Sequence, residues 1–428
     1  MSAKRQDEPG VEVTRLDNGL TIATETLPGV KTATVGVWVA AGSRHERDDE
    51  HGLSHLIEHM AFKGTARRSA RRIAEDIENV GGEINAATST EFTSYTARVL
   101  GEDVELAVDV LGDILTGSLF DASELVREVN VILQEYASVE DSPDDVVTDA
   151  FMEHAFADQA IGRPILGRPD TIRSFDALGI RAFMEREYTP ARMVVAAAGA
   201  VEHGRVVADA AAALGGLPAR AAPETGAAVY TGGQKRLRRR LEQANVVIGL
   251  PGVSFRDPAY FATHMFAQAL GGGLTSRLWH EVRETRGLAY AIDAFHWPFT
   301  DSGLFGIGAG TSGDDLAELV DVVTATARAA THDLAEEELA RAKAQLKVSL
   351  LAALESPGGR IERAARQLLA WGRVVPAEET VAHVDAVTLE DVRQAGRRTL
   401  NGPLTIAAIG PIRLLPPLSR IASGFKGG

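Results

Sequence analysis

Two histidines and a glutamate, His55, Glu58 and His59, are the residues with the clearest capacity for chemistry. The histidines are four residues apart, so on a helix both imidazoles lie on one face and can reach a single ion. Glu58 is placed to take a proton from a water molecule at that ion, but poorly placed to be a further ligand. Zinc is the metal that these ligands suggest first, although a lone motif of this kind also arises by chance.

A second helix is predicted downstream, where Asp121 resembles a cap and apolar residues follow at helical spacing. Glu128 and Glu135 are seven residues apart on it, which is two turns, and so lie on nearly the same face. Of two carboxylates on the same helix face, one could be a third metal ligand and the other could hydrogen-bond to a ligand and orient it. Taken alone, they are equally compatible with a solvated helix face.

The elements around these helices recur in a similar order in the two halves of the chain. Strand pairs interleaved with long helices favour an α+β class, with two related α/β domains that are each a mostly antiparallel sheet packed with helices. A stretch rich in Ala, Pro and Gly has the composition of a linker. We therefore expect an N-terminal zinc-binding catalytic domain over 1–217, a linker over 218–232 and a C-terminal domain over 233–428.

Hydrophobic periodicity locates the individual elements. Strands are expected over 11–25, 32–41, 83–100, 192–200, 235–250, 288–298, 303–312 and 403–409. Helices are expected over 51–63, 69–80, 102–116, 121–140, 144–157, 178–187, 257–271 and 275–286, with further helices before the last strand.

Composition excludes several classes of protein. The 428 residues carry 44 basic and 59 acidic side chains, a net charge of −15, which opposes nucleic acid as a partner and suits basic peptides. There is no cysteine, so a thiolate zinc site and a disulfide framework are impossible. We find no apolar run of about 18 residues and no apolar leader, so we expect a cytoplasmic protein without a membrane span.

At this point the chain resembles a known family, the pitrilysin-type zinc metallopeptidases, which carry H-x-x-E-H where thermolysin-like enzymes carry H-E-x-x-H. Within that family it is most similar to the β subunit of the mitochondrial processing peptidase and its bacterial homologues. The resemblance extends over nearly the whole chain and is carried by residues 14–20, 35–39, 41–44, 55–65, 81–86, 162–167, 271–278 and 283–290.

The resemblance implies a role for each residue of the two predicted helices. His55, His59 and Glu135 become the ligands of one Zn²⁺ per chain, and Glu58 becomes the general base. Glu128 becomes a carboxylate that contacts one of the metal ligands and does not bind the metal itself. The implied fold is the two-domain metallohydrolase fold of that family.

A further pair, Arg283 and Tyr290, belongs to the predicted C-terminal domain. The resemblance implies that both contact substrate near the scissile bond, where a guanidinium and a phenol can donate hydrogen bonds to an oxyanion. From the residues alone, Arg283 reads as a surface helix residue and Tyr290 as a strand core residue.

Two other segments are implied to bind substrate. Asn85 and Ala86 lie in a strand where an extended peptide could add as a further strand, the alternative being a plain edge strand. Asp145 and Asp149 are four residues apart on one helix face, where the family places acids that pair with an arginine near the cut. Without the resemblance, these acids read as a solvated face.

Together these features predict a zinc-dependent endopeptidase that cleaves short or unfolded peptides, with a preference near basic residues, in a chamber closed by dimerisation. The resemblance implies pairing of two chains, and a homodimer is favoured over a heterodimer with a paralogue because both sets of residues are retained. The alternatives are a non-catalytic core or assembly subunit of the same superfamily and a small-molecule metallohydrolase.

Overall fold

The computed structural model describes residues 10–221 and 223–426. The strands are β1 Val11–Arg15, β2 Thr21–Thr26, β3 Thr32–Val39, β4 Glu83–Thr88, β5 Thr93–Leu100, β6 Met193–Gly199, β7 Gly233–Arg238, β8 Ala244–Pro251, β9 Ala289–Pro298, β10 Gly303–Thr311 and β11 Thr405–Gly410. The helices are α1 Leu53–Ala61, α2 Ala70–Glu78, α3 Val104–Thr116, α4 Ala122–Glu140, α5 Pro143–Ala155, α6 Pro169–Ile172, α7 Ala177–Glu187, α8 His203–Leu214, α9 Tyr260–Gly271, α10 Leu316–Asp333, α11 Glu336–Ala353, α12 Pro357–Trp371, α13 Ala377–Ala386, α14 Leu389–Leu400 and α15 Leu418–Lys426, with a π-helix at Trp279–Thr285.

The chain forms two compact units, each with its own sheet. Unit 1 is built from residues up to Tyr136, from Pro164–Thr225 and from Leu350–Thr380. Unit 2 is built from Ala137–Arg163, Gly226–Ser349 and the residues from Val381 onward. Each unit therefore takes in a segment from the opposite half of the chain, unlike a simple division at 218–232.

The sheet of unit 1 has six strands in the order β1-β2-β6-β3-β5-β4, and only the β2–β6 pair is parallel. Successive side chains of β3 point to opposite faces. Val35, Val37 and Val39 pack in the core that α1 and α3 share, whereas Trp38 packs on the other face. There it meets α12, the segment taken from the second half of the chain.

The sheet of unit 2 has the order β7-β11-β8-β10-β9, which repeats β2-β6-β3-β5-β4 strand for strand, including the parallel pair. Helices α9 and α14 are associated with this sheet, and α5 covers a face of it through Val147 and Phe151. A Cβ at Gly249 would lie 2.0 Å from the Phe151 ring, so this close approach requires glycine. The predicted α+β class with two related, mostly antiparallel sheets is confirmed.

Most predicted elements lie where they were expected, and the differences are local. The helix expected over 275–286 is a π-helix at Trp279–Thr285, and helices α6, α8 and α15 were not predicted. Helix α8 is rich in Ala and follows directly on a buried strand, so its apolar pattern is weak. In the part of the chain that the structure describes, no helix combines the length and apolar character needed to cross a bilayer.

Candidate metal centre

Helix α1 is held at its first residue by a buried carboxylate and a glycine. Gly52 has φ +97°, and a Cβ there would lie 2.7 Å from the carbonyl oxygen of Leu166. The Glu46 carboxylate, only 4% exposed, accepts hydrogen bonds from the amides of Gly52 and Ser54 at 2.8 and 2.7 Å. A negative charge at a helix N-terminus satisfies amides that have no partner within the helix and complements its dipole.

The apolar face of α1 decides which way the polar residues of the motif point. Leu56, Ile57 and Met60 are buried in the core of unit 1. The opposite side of the helix therefore presents His55, Glu58 and His59, which are all half-buried. Burial of one helical stripe thus fixes the direction of the other.

His55, His59 and Glu135 form one cluster whose ligand atoms all lie within 4.8 Å of one another. Glu135 Oε2 lies 3.8 Å from His55 Nε2 and 3.6 Å from His59 Nε2. Four ligands at zinc-bond lengths are about 3.3 to 3.5 Å apart in a tetrahedron, so the two distances to Glu135 exceed the zinc value by only a few tenths of an ångström. Three protein ligands leave a fourth position for water, as in catalytic rather than structural sites.

Burial, and then the nearby His59, lower the pKa of His55 to about 4. The imidazole is therefore neutral near pH 7, which is the form that binds a metal ion. Its Nδ1 atom is buried and makes no hydrogen bond within the described residues. The ring of His55 is thus held by packing, whereas His59 has a polar partner.

That partner of His59 is Glu128 on α4. Glu128 Oε2 lies 3.1 Å from His59 Nδ1, and Glu128 Oε1 forms an ion pair with Lys63 Nζ at 2.7 Å. The carboxylate is 6% exposed, so its charge depends on these two neighbours. A proton held on Nδ1 leaves Nε2 free to bind a metal ion.

Two tyrosines that the sequence did not single out lie near Glu58. The hydroxyl groups of Tyr95 and Tyr188 are 3.0 Å apart, and both side chains are fully or nearly fully buried. Burial, with a smaller contribution from the Glu58 charge, raises the pKa of Tyr188 to about 12 and that of Tyr95 well above its usual value. Both phenols therefore stay neutral beside Glu58.

Strand β4 lies at the edge of its sheet, as expected, and among the described strands it pairs with β5 alone. Asn85 is exposed, and its side-chain oxygen accepts a hydrogen bond from the amide of Ala86 at 2.9 Å. The hydroxyl of Thr88 donates to the carbonyl oxygen of Ser54 at 3.4 Å. The edge strand therefore adjoins the helix that carries the two histidines.

Arg283 and Tyr290 lie together in unit 2. The Arg283 guanidinium carbon is 4.2 Å from the centre of the Trp279 ring and 4.7 Å from that of the Tyr290 ring. Tyr290 is 77% exposed, so its reading as a strand core residue is wrong, because it stands at the outer edge strand β9. Trp279 was missed, although its position four residues before Arg283 on a helix was an available indication.

Comparison with known proteins agrees with this geometry. The model of the family described as insulinase, peptidase family M16, matches residues 21–169, and the model described as the peptidase M16 inactive domain matches residues 174–346. An uncharacterized zinc protease of Streptomyces coelicolor is 40% identical over 413 residues, which cover 94% of this chain and 90% of the relative. The chain belongs to peptidase family M16.

Two further proteins are similar to this chain. A probable mitochondrial-processing peptidase subunit beta of Arabidopsis thaliana is 37% identical over 434 residues, covering 96% of this chain and 80% of the relative. A chain of complex III from Candida albicans superposes with a TM-score of 0.87 at 22% identity, covering 96% of this chain and 99% of its own, which shows the shared fold. The resemblance predicted from the sequence is confirmed.

The acids expected to bind substrate in this M16 chain lie on α5, within unit 2. Asp145 is exposed and Asp149 is half-buried. Burial, followed by the charges of Glu153, Asp145 and Glu140, raises the pKa of Asp149 to about 6. Burial among other acids therefore favours the protonated form of Asp149 and disfavours its charge.

Removing the carboxylate that holds α1 is expected to destabilise this M16 chain. Glu46→Ala leaves two buried amides without an acceptor, which costs roughly 1–3 kcal/mol of the free energy of unfolding. Urea titration followed by circular dichroism measures the shift. Glu46→Gln keeps an acceptor oxygen and should lower the free energy of unfolding by less. Asp49→Ala, at a nearby exposed acid, should leave the free energy of unfolding unchanged. A Glu46→Ala midpoint equal to that of the wild type would contradict the assignment.

Replacing the carboxylate behind His59 is expected to weaken zinc binding without abolishing it. Glu128→Gln removes the charge that holds the His59 ring, and loss of such a partner typically lowers metal affinity about 10- to 100-fold. Competition against a chromophoric chelator measures the affinity. Glu124→Gln, on the same helix and ion-paired with Arg127, is the matched control and should bind zinc as the wild type does.

Proposed function

We propose that this chain is a zinc-dependent endopeptidase that cleaves short or unfolded peptides. The observation that carries the proposal is the cluster of His55, His59 and Glu135, with Glu58 on the same helix as the two histidines. Such a set matches the donors of a catalytic zinc site, and a scaffold has no physical need of it. Membership of M16 and the names of the zinc protease relatives support the same proposal.

The chemistry divides between the ligands and the base. His55, His59 and Glu135 would hold one zinc ion, which when bound polarises a carbonyl group and acidifies water. Glu58 takes the proton of the attacking water and passes it to the leaving amine. Tyr95 and Tyr188 stay neutral, so they add no competing charge near that carboxylate.

The edge strand supplies a place for an extended peptide. β4 has one free edge, and its residues at 83, 85 and 87 are exposed. A peptide that adds there would form main-chain hydrogen bonds and run beside α1, to which Thr88 is hydrogen-bonded. Binding through the main chain favours unfolded segments over folded proteins, and Asn85 and Ala86 are the residues that we place against such a peptide.

Arg283 and Tyr290 are proposed as the donors that stabilise the developing oxyanion. Both side chains are accessible, and stacking orients the guanidinium. We further propose that they act in a chamber closed by pairing of two chains, and that a homodimer with two equivalent sites is the assembly. The alternative is a heterodimer, which is suggested by the Arabidopsis relative because that protein is named as a subunit. A preference near basic residues, through Asp145 and Asp149, and a cytoplasmic location stay predictions.

A second candidate function is a non-catalytic core or assembly subunit. It is favoured by one finding, the fold shared with a chain of complex III. The retained metal cluster and base argue for the enzyme.

One experiment separates the two functions. The purified chain is incubated with an internally quenched peptide that contains arginine, and bound zinc is counted by mass spectrometry. We expect about one zinc ion per chain, cleavage that a chelator stops, and recovery on adding one equivalent of zinc. Bound zinc without cleavage would favour the core subunit, and cleavage that survives complete metal removal would refute a zinc-dependent mechanism.

A further inference from the structure

A cavity of about 360 Å³ lies in unit 2, lined by residues of α5, β8, β9 and β10. Its floor is β10, where Gly308 and Gly310 have no side chains. A Cβ at Gly308 would lie 3.1 Å from Asp293 Oδ1, and one at Gly310 would lie 3.0 Å from Asn245 Oδ1. One acceptor oxygen from each neighbouring strand therefore lies against one of the two glycines, in space that a side chain on β10 would fill.

Among the described residues, those that line the cavity carry negative charge and include no compensating cation. Asp144 enters its lining from α5 and Asp293 from β9, whereas no lysine or arginine lines it. Within the described residues neither carboxylate has an ion-pair partner. Burial raises the pKa of Asp293, as expected for a carboxylate that has lost water without gaining a counter-ion. A cationic ligand would restore that missing interaction.

An aromatic pair forms another part of the lining. The rings of Phe295 and Trp297 are stacked, with centroids 4.4 Å apart and planes at 28°. Phe295 packs against the core beneath α5, and Trp297 remains 39% exposed. A flat ring beside carboxylates suits a planar, weakly hydrated cation better than a compact, strongly hydrated ammonium.

We propose that this cavity binds a guanidinium group, with Asp293 and Asn245 as hydrogen-bond acceptors, Asp144 as a second negative charge and Trp297 as a stacking surface. The occupant is the arginine side chain of a peptide, an assignment that rests on the proposed function. This site is separate from Asp145 and Asp149, which do not line the cavity.

Binding is tested without turnover, in the Glu58→Gln variant of the full chain. Isothermal titration compares three peptides that are identical except for arginine, lysine or citrulline at one position. Citrulline keeps the shape of arginine and lacks its charge. We expect citrulline to bind roughly 10- to 100-fold more weakly than arginine, because a charge-assisted hydrogen bond is lost, and lysine to fall between them.

Variants locate the preference in this cavity. Asp293→Asn should reduce the ratio of the affinities for the arginine and citrulline peptides to about threefold or less. Trp297→Leu should lower the affinity for the arginine peptide more than that for the lysine peptide. Asp314→Asn removes an exposed acid of unit 2 outside the cavity and should leave the ratio unchanged. Thermal unfolding checks that each variant is folded.

Two outcomes would overturn the proposal. Equal binding of the arginine and citrulline peptides, or a ratio that Asp293→Asn does not change in a folded variant, would show that the cavity does not select a guanidinium. The last titration uses free arginine amide. If it binds as tightly as the arginine peptide, the occupant is a small molecule and not a peptide. These results do not depend on cleavage, so failure of the peptidase proposal is detected separately.

Discussion

Glu58→Gln is expected to abolish peptide cleavage while one zinc ion per chain remains bound. Glutamine has the shape of glutamate but cannot accept a proton near neutral pH, and the cluster of ligand atoms does not include residue 58. Loss of a positioned general base typically costs about 100- to 10,000-fold in rate. Initial rates on a quenched peptide and zinc content by mass spectrometry measure the two quantities on the same sample.

The control for this variant is Glu78→Gln, an exposed glutamate at the end of α2 in the same unit. It should retain both zinc and the wild-type rate. Wild-type cleavage by Glu58→Gln would show that another group takes the proton. Loss of zinc together with activity would show instead that Glu58 is needed to hold the ion.

The parts of the site that follow from local spacing could be read from the sequence. Helix geometry alone puts His55 and His59 on one face, and it also aligns Glu128 with Glu135. The meeting of these two helices, seen in the contact of His59 with Glu128, is a tertiary feature. Periodicity contains no information on which helix packs against which, so only the family resemblance could supply that step.

Residues that support the site through contacts that helix or strand periodicity does not encode were not identified from the sequence. Glu46 reads as one acid among several charged neighbours, although its carboxylate holds the first turn of α1. Tyr95 and Tyr188 meet across 93 positions of the chain. Nothing in the spacing of two tyrosines predicts a shared hydrogen bond, because packing of a strand against the end of a helix brings them together.

The exchange of helices between the halves of the chain was also beyond local reasoning. A linker is recognised by composition, and the stretch near 218–232 has that composition. Both sheets, however, have two apolar faces, and the second face of each is covered by a helix from the other half, α12 or α5. A helix pattern shows that an apolar face exists and leaves open which sheet it covers.

His55→Ala is expected to weaken zinc binding strongly and, with it, to lower activity and the stabilisation that zinc confers. Zinc binding worth ~10–16 kcal/mol over four ligands corresponds to about 3 kcal/mol for each, so the zinc Kd should rise roughly 100-fold or more. A ligand that binds only the folded state stabilises it in proportion to the logarithm of its concentration over Kd. The wild type should therefore unfold at a higher temperature with zinc than after chelation, and at the same zinc concentration the variant should gain about 2.7 kcal/mol less stabilisation, so its rise in unfolding temperature should be clearly smaller.

The response to zinc is a sharper readout than stability itself. Removing a half-buried ring lowers the unfolding temperature whether or not it binds a metal ion, since contacts are lost in either case. The difference in unfolding temperature between the zinc-loaded and chelated samples of one variant is not affected by that loss, because the loss is the same in both samples. His332→Ala, at an exposed histidine of α10, should keep the full wild-type response. If His55→Ala kept it as well, the ion would be held elsewhere, and the assignment of α1 as the zinc helix would be wrong.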